Sequence, residues 1–379
     1  MRIEMVEVVA ARLTLARPVQ SAGLHHASKP TIFLRLVVAG GEGWGECAAT
    51  EETREPDPPL HEVEPAVVDL VVARLFAACP DGQLPAAAAV AELCRPSGVA
   101  ERMAVAALEM AVLDAELRTD RRSLADRLSV DRASVETGAV VGIPADRTFD
   151  RLLEAVAQAL ESGARRVRVK IEPGWAAEPL LAIRSRFPEL DLQADANGSF
   201  DPGDGGEFRS LDLLDRLGLR CLEQPFGPGD LEAHAALAER LATPIALDES
   251  LSSPDRVRAA VKSGACSVAC LKPGRLGGVF ATMAAAETCA DAGVQCFVGG
   301  VFESGLGRAV NAALAGRAEF GMPGDLSDPD SYLLANPFSY LPTAAGAVRL
   351  SGAPGLGAEV RPEVLEAATV STRQLVFDS

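Results

Sequence analysis

The stretch PIALDESLSSPDRVRAAVKSGACSVACLK, residues 244–272, reads as strand, helix and strand in succession. A short apolar run ends at Asp248, and a second ends at Lys272. The helix between them is punctuated at both ends. Ser253 suits the N-cap, where its hydroxyl can accept from exposed N–H groups, and Pro254 fits the first turn, where no N–H is needed. Val257 and Val261 share one face, and Gly264 supplies the left-handed residue that stops the helix. Strands joined through a crossover helix run parallel, so this unit points to an α/β architecture.

The same unit recurs outward in both directions. Short apolar segments stand at 135–141, 167–171, 190–194, 220–222 and 295–298, and Leu152, Leu153, Val156 and Leu160 form a helical face that ends at Gly163. Seven or eight such units favour a closed (β/α) barrel over an open doubly wound sheet. No Gly-x-Gly-x-x-Gly opens the first unit, which weighs further against the open sheet. Upstream the pattern is mixed, with strands expected over 3–15 and 32–45 and helices over 63–78 and 101–117. Residues 103–113 are apolar almost all round, the mark of a fully buried helix. Polar connections are expected at 21–30 and 50–59, of the kind that closes over a site.

Composition narrows the function. A net charge of −17 argues against a nucleic-acid groove or an anionic membrane surface, because phosphate contacts need clustered Lys and Arg. No apolar run is long enough to span a membrane and no leader is recognisable, so the cytoplasm is the expected compartment. The eight cysteines form no Cys-x-x-Cys pair and read as reduced, buried small hydrophobes, and the four histidines fall in no metal spacing. Of the 36 basic residues only Lys29, Lys170, Lys262 and Lys272 are lysines. In a chain that meets its surface-charge needs with Arg, a lysine inside an apolar strand points to a demand for an amine that can release its proton.

Lys170, Asp195, Glu223, Asp248 and Lys272 close five successive apolar segments, spaced 25, 28, 25 and 24 residues apart. Parallel barrel strands converge at their C-terminal ends, so the five side chains are expected around one mouth. Three neighbouring carboxylates in a partly buried cavity repel one another and call for a cation. An all-oxygen set without His or Cys suits Mg²⁺, with Mn²⁺ as the alternative. The flanking lysines then suit proton removal next to a substrate carboxylate, one as base and the other as acid or electrostatic support. Arg168 lies on the same side of its strand as Lys170 and supplies a nearby fixed cation.

Six ordered motifs carry a resemblance: Arg168-Val-Lys-Ile-Glu-Pro-Gly-Trp175, Asp195-Ala-Asn-Gly198, Leu222-Glu-Gln-Pro225, Leu247-Asp-Glu-Ser250, Leu271-Lys-Pro-Gly-Arg-Leu-Gly-Gly278 and Gly299-Gly-Val-Phe-Glu-Ser-Gly-Leu-Gly-Arg308. Together with Trp44-Gly-Glu46 and Pro323-Gly-Asp325 they resemble the enolase superfamily, and within it the o-succinylbenzoate synthase / N-succinylamino acid racemase family. The resemblance implies a modified TIM (β/α)7β-type barrel under an N-terminal α+β capping domain completed by C-terminal residues. The corresponding division is 1–134 for the cap, 135–325 for the barrel and 326–379 for the segment returning to the cap. It implies metal ligation by Asp195, Glu223 and Asp248, Lys170 as base and Lys272 as its partner, with Arg168, Arg275, Asn197 and Glu249 in auxiliary roles. Substrate is expected against Gly299, Gly300, Val301, Ser304 and Val140, and against Ser21 and Lys29 of the cap.

Several positions depart from the pattern: Arg168 stands for the usual first lysine of a Lys-x-Lys pair, Val140 for a serine and Val301 for a methionine, Ser327-Asp-Pro-Asp-Ser-Tyr332 lacks an arginine before the tyrosine, and the loops 21–30 and 50–59 match poorly. The leading expectation is o-succinylbenzoate synthase, a lyase of menaquinone synthesis acting on a small carboxylate. N-succinylamino acid racemase follows, with Arg275 matching an arginine of members that racemise. A dipeptide epimerase, for which Asp328-Pro-Asp330 offers an Asp-x-Asp spacing although its proline and its place after Pro323-Gly-Asp325 favour a loop, a muconate-type cycloisomerase and a catalytically silent metal-binding barrel complete the alternatives. An acidic barrel of this size is expected to self-associate.

Overall fold

The computed structural model describes residues 1–21, 24–51 and 55–377, without the side chains of residues 17–21, 24–26, 70 and 71. The chain begins with an antiparallel meander, β1 (Ile3–Ser21), β2 (Leu24–Val38) and β3 (Gly41–Ala48). A strand from the far end of the chain, Thr369–Val376, pairs antiparallel with β1 and completes a four-stranded sheet. The single strand expected over 32–45 is two strands, because Gly40 at φ +92° reverses the chain between them. The connection expected at 21–30 is also corrected. From Leu24 onward the backbone pairs with β1, Gln20 opposite His25 and Leu13 opposite Lys29. The ladder satisfies the backbone of a polar stretch as well as that of an apolar one.

One helix, Val99–Thr119, lies under this sheet and is buried from Met103 to Ala115, two residues beyond the expected apolar run. β3 approaches it through glycine: a Cβ on Gly43 would lie 2.1 Å from the Ala111 carbonyl oxygen, and one on Gly45 1.9 Å from that of Ala107. Asp114 ties helix to strand, its Oδ2 accepting from Trp44 N at 3.0 Å. The helix expected over 63–78 begins at Leu60 and runs to Ala78, with a wider-wound middle, Ala66–Val72, directly after Pro65. Proline's missing N–H loosens the ladder at that place.

β4 (Ser134–Glu136) pairs with Ala347–Arg349 of a late hairpin, so the expected strand 135–141 is divided at Thr137. Seven parallel strands follow in sequential order: β5 (Gly138–Val141), β6 (Arg166–Lys170), β7 (Leu192–Asp195), β8 (Leu222–Glu223), β9 (Ile245–Leu247), β10 (Val268–Leu271) and β11 (Gln295–Val298). The gap between β11 and β5 is bridged by residues 322–325. Asp325 N donates to Val298 O at 2.9 Å, and Gly138 N donates to Gly324 O at 2.8 Å. The sheet thereby curls into the expected barrel. Its interior holds a small apolar cluster of Cys221, Ala246, Val268, Cys270, Phe297 and Met322, while the larger core lies between strands and helices.

The helix Pro254–Ser263 ends as its sequence dictates, with Ser253 Oγ accepting from Arg256 N at 3.2 Å and Gly264 at φ +67°. All eight cysteines are free and buried. Among the described residues no helix is long and apolar enough to cross a membrane.

Candidate active site

Alternation along β6 places Arg166, Arg168 and Lys170 on one face, and parallel register sets Gln193 beside Arg168 and Asp195 beside Lys170. Arg166 is fully buried over the Phe297 ring and donates to Gln193 Oε1 and Asp325 Oδ1, each at 2.8 Å. Gly138 leaves room for it, since a Cβ there would lie 2.5 Å from the guanidinium. One level higher, Arg168 Nη1 grips both oxygens of Glu223 at 2.7 and 2.9 Å, while Nη2 donates to Asp325 Oδ2. Gln193 also donates to Glu223. At the strand end, Lys170 Nζ bonds Asp195 Oδ2 and Asn197 Oδ1, both at 2.6 Å. Asn197 in turn donates to Glu249 Oε1 at 3.0 Å.

The opposite flank follows β10. Lys272 Nζ donates to Asp248 Oδ2 at 2.8 Å. Arg275, one turn further, donates to Asp248 Oδ1 at 2.7 Å and to Asp57 of the cap at 2.9 and 2.7 Å. Glu223, on β8, stands in the row between the two lysine–aspartate pairs. Gln224 stitches β8 to the chain beyond β9, its Oε1 accepting from Asp248 N and Ser250 N at 3.0 and 3.1 Å.

Asp195, Glu223 and Asp248 are all but inaccessible to solvent. Burial pushes the Glu223 carboxyl up to about 8; Arg168 opposes the shift, and Asp195, Asp248 and Asp325 add to it. Burial also acts against ionisation of Asp195 and Asp248, but Lys170 with Arg168, and Lys272 with Arg275, hold those two below the usual carboxylate range. Burial disfavours the Lys272 ammonium, and Asp248 outweighs it, so this lysine is held above its ordinary value. Glu223, Asp248 and Cys270 each bring a ligand atom within 4.8 Å of the others. The Cys270 thiol is driven far up by burial, Asp248 and Glu223. Asp195 is turned toward Lys170 and lies 3.7 Å from Arg168 Nε.

The residues expected around the substrate fall into three groups. Val140, 42% exposed, stands in register with Arg168, and Val301 lines a cavity under the cap with Lys272, Arg275, Asp57 and Met103. Gly299 makes room for Lys272, because a Cβ there would lie 2.9 Å from Lys272 Cε, and Gly300 N donates to Asp325 Oδ2 at 3.3 Å. Ser304 is spent inside the protein: its hydroxyl donates to Glu46 at 2.7 Å and accepts from Leu306 N as a helix cap. Lys29 is buried on β2, and its ammonium makes no hydrogen bond or ion pair among the described residues. Burial brings its ammonium down to about 8, against the pull of Glu303, Asp57 and Glu46. The side chain of Ser21 lies outside the described residues. Asp328 caps a short turn by accepting from Asp330 N at 3.0 Å, so Asp328-Pro-Asp330 forms a turn and not a strand end.

Sequence reasoning missed Arg166 and Gln193, although each stands two residues before a residue it singled out, the spacing that shares a strand face. It quoted Asp325 without a role, and no local signal marked Asp57.

Residues 151–364 match the Enolase C-terminal domain-like family. The chain is 37% identical to an N-succinylamino acid racemase of Amycolatopsis sp, with 98% of each chain covered. It is 32% identical to an o-succinylbenzoate synthase of Bacillus subtilis, covering 96% of this chain and 95% of that one. Among solved structures, an enolase-superfamily member from Listeria innocua superposes with a TM-score of 0.92 at 30% identity over the full length of both chains.

Proposed function

The chain belongs to the enolase superfamily, and from that footing we propose that it removes the proton α to a substrate carboxylate as an o-succinylbenzoate synthase of menaquinone synthesis. The observation that carries this reading is the pair of lysines on opposite flanks of one row of carboxylates, each ammonium held by a different acid. Lys170, oriented by Asp195 and Asn197, takes the α-proton as the neutral amine and becomes the ammonium in doing so. Lys272, kept cationic by Asp248, stabilises negative charge as the C–O bond breaks and hydroxide departs. The donor set fits Mg²⁺: the buried carboxylates of Asp195, Glu223 and Asp248 would hold it, and the Glu223 carboxyl, raised by burial first, is raised further by the neighbouring acids whose charge a divalent cation relieves. When bound, Mg²⁺ supplies positive charge to the substrate carboxylate and so lowers the cost of forming the ene-diolate. The unpaired ammonium of Lys29 is assigned to a second carboxylate on the substrate. The division into a cap, 1–134, a barrel, 135–325, and a returning segment, 326–379, belongs to the same proposal, as does action in the cytoplasm.

N-succinylamino acid racemisation is the second reading, favoured by the buried Arg275 beside Lys272. There Lys170 and Lys272 exchange protons with opposite faces of one carbon.

The test combines dehydration of the cyclohexadiene carboxylate precursor with deuterium exchange at the α-carbon of N-succinyl-phenylalanine. Activity is expected to vanish on chelation, to return with Mg²⁺, and to fall by about 10³-fold or more in Lys170→Ala. Wild-type protein that performs neither reaction with Mg²⁺ overturns the proposal.

A further inference from the structure

We propose that Asp57, in the cap segment ahead of the helix that begins at Leu60, is a positioning residue for Lys272 and acts through Arg275 and Asp248. The proposal rests on the two-lysine reading above. Arg275 is 3% exposed, and four of the five N–H donors of its guanidinium have named partners. Nε and Nη2 form a two-pronged bridge to Asp57 at 2.9 and 2.7 Å, and Nη1 donates to Asp248 Oδ1 and to the Asp248 carbonyl at 2.7 and 2.8 Å. The carboxylate of Asp248 is therefore divided, Oδ1 to Arg275 and Oδ2 to Lys272 at 2.8 Å.

A planar guanidinium held by two parallel bonds has its orientation set by the carboxylate it meets. Asp57 thus fixes the plane of Arg275, Arg275 fixes the rotation of Asp248, and Asp248 fixes the ammonium of Lys272. The cap end of this chain is itself held, since Leu60 N donates to Thr50 O at 3.0 Å and closes the base of the segment carrying Asp57. Without the Asp57 carboxylate, two buried donors of Arg275 lose their anionic partner. Glu249 then becomes a competing anion for the guanidinium, and Asp248 Oδ1 is released. Lys170 stands outside the chain, held by Asp195 and Asn197. Loss of Asp57 should therefore act on one face of the substrate carbon.

The experiment follows solvent deuterium exchange of the α-proton in each enantiomer of N-succinyl-phenylalanine by the Mg²⁺-loaded full chain. Lys272→Ala identifies the enantiomer that depends on that lysine. Asp57→Asn is expected to slow exchange of this enantiomer by about 30- to 100-fold, with the other within about 3-fold, the scale of a misplaced catalytic group. Asp57→Glu keeps the charge one methylene further out. It should show the same asymmetry at about 3- to 10-fold, and it serves as the reading if the asparagine variant does not fold. Equal slowing of both enantiomers, or no slowing of either, overturns the role of Asp57 while leaving the two-lysine reading intact. A wild-type enzyme that exchanges neither enantiomer overturns that reading and this proposal with it.

Discussion

Arg168 spans two acids that come from distant parts of the chain, Glu223 on one prong and Asp325, 157 residues away, on the other. A lysine offers a compact point charge on a flexible stem and lacks the rigid fork that sets two donors toward Glu223 and Asp325, so arginine at this position acts as a clamp across the barrel seam. Removing it leaves two buried carboxylates without their shared partner. Arg168→Met is expected to destabilise the fold by about 3–5 kcal/mol, read from urea unfolding. Arg168→Lys should lose less, and a loss below about 1 kcal/mol in the methionine variant would refute the clamp. Strand alternation alone made the side of Arg168 legible. Its partner was not, because Asp325 reaches it only through closure of the barrel by residues 322–325.

At the scale of elements, the contact between β3 and the helix Val99–Thr119 depends on missing side chains. Trp44-Gly-Glu46 stands out in the sequence, but the reason for its glycine appears only when the Ala107 carbonyl is seen 1.9 Å from where a Cβ would lie. Gly45→Ala must push the helix away and is expected to cost about 1–3 kcal/mol in thermal unfolding. Gly41→Ala, with nothing within 4 Å of the added atom, is the matched control and should change little. The helix itself was legible from its apolar periphery. The two acids buried in it were not, since Glu109 and Asp114 have partners on other elements.

Those acids matter for the molecule as a whole, because Glu109 of the cap helix accepts from Val279 N and Phe280 N at the start of the barrel helix Val279–Asp291. Burial lifts its carboxyl to about 8, with the two backbone N–H groups opposing, and its Oε2 has no hydrogen-bond partner among the described residues. Between the ordinary 4.5 and about 8 the folded chain keeps a proton that the unfolded chain releases, so this group's contribution to stability falls as pH rises through that window. Glu109→Gln removes the titration. Its stability relative to wild type is expected to grow from about pH 5 to about pH 8 by on the order of a few kcal/mol in denaturant unfolding. Parallel curves for the two proteins would refute it. The sequence by itself determined the repeating strand–helix units and the acids and lysines at their ends, because alternation, capping and spacing are local properties of a chain. Only the tertiary structure decided the pairings, Arg168 with Asp325 and Arg275 with Asp57 across 218 residues, because curling the sheet and docking the cap bring those charges together and no local periodicity encodes either step.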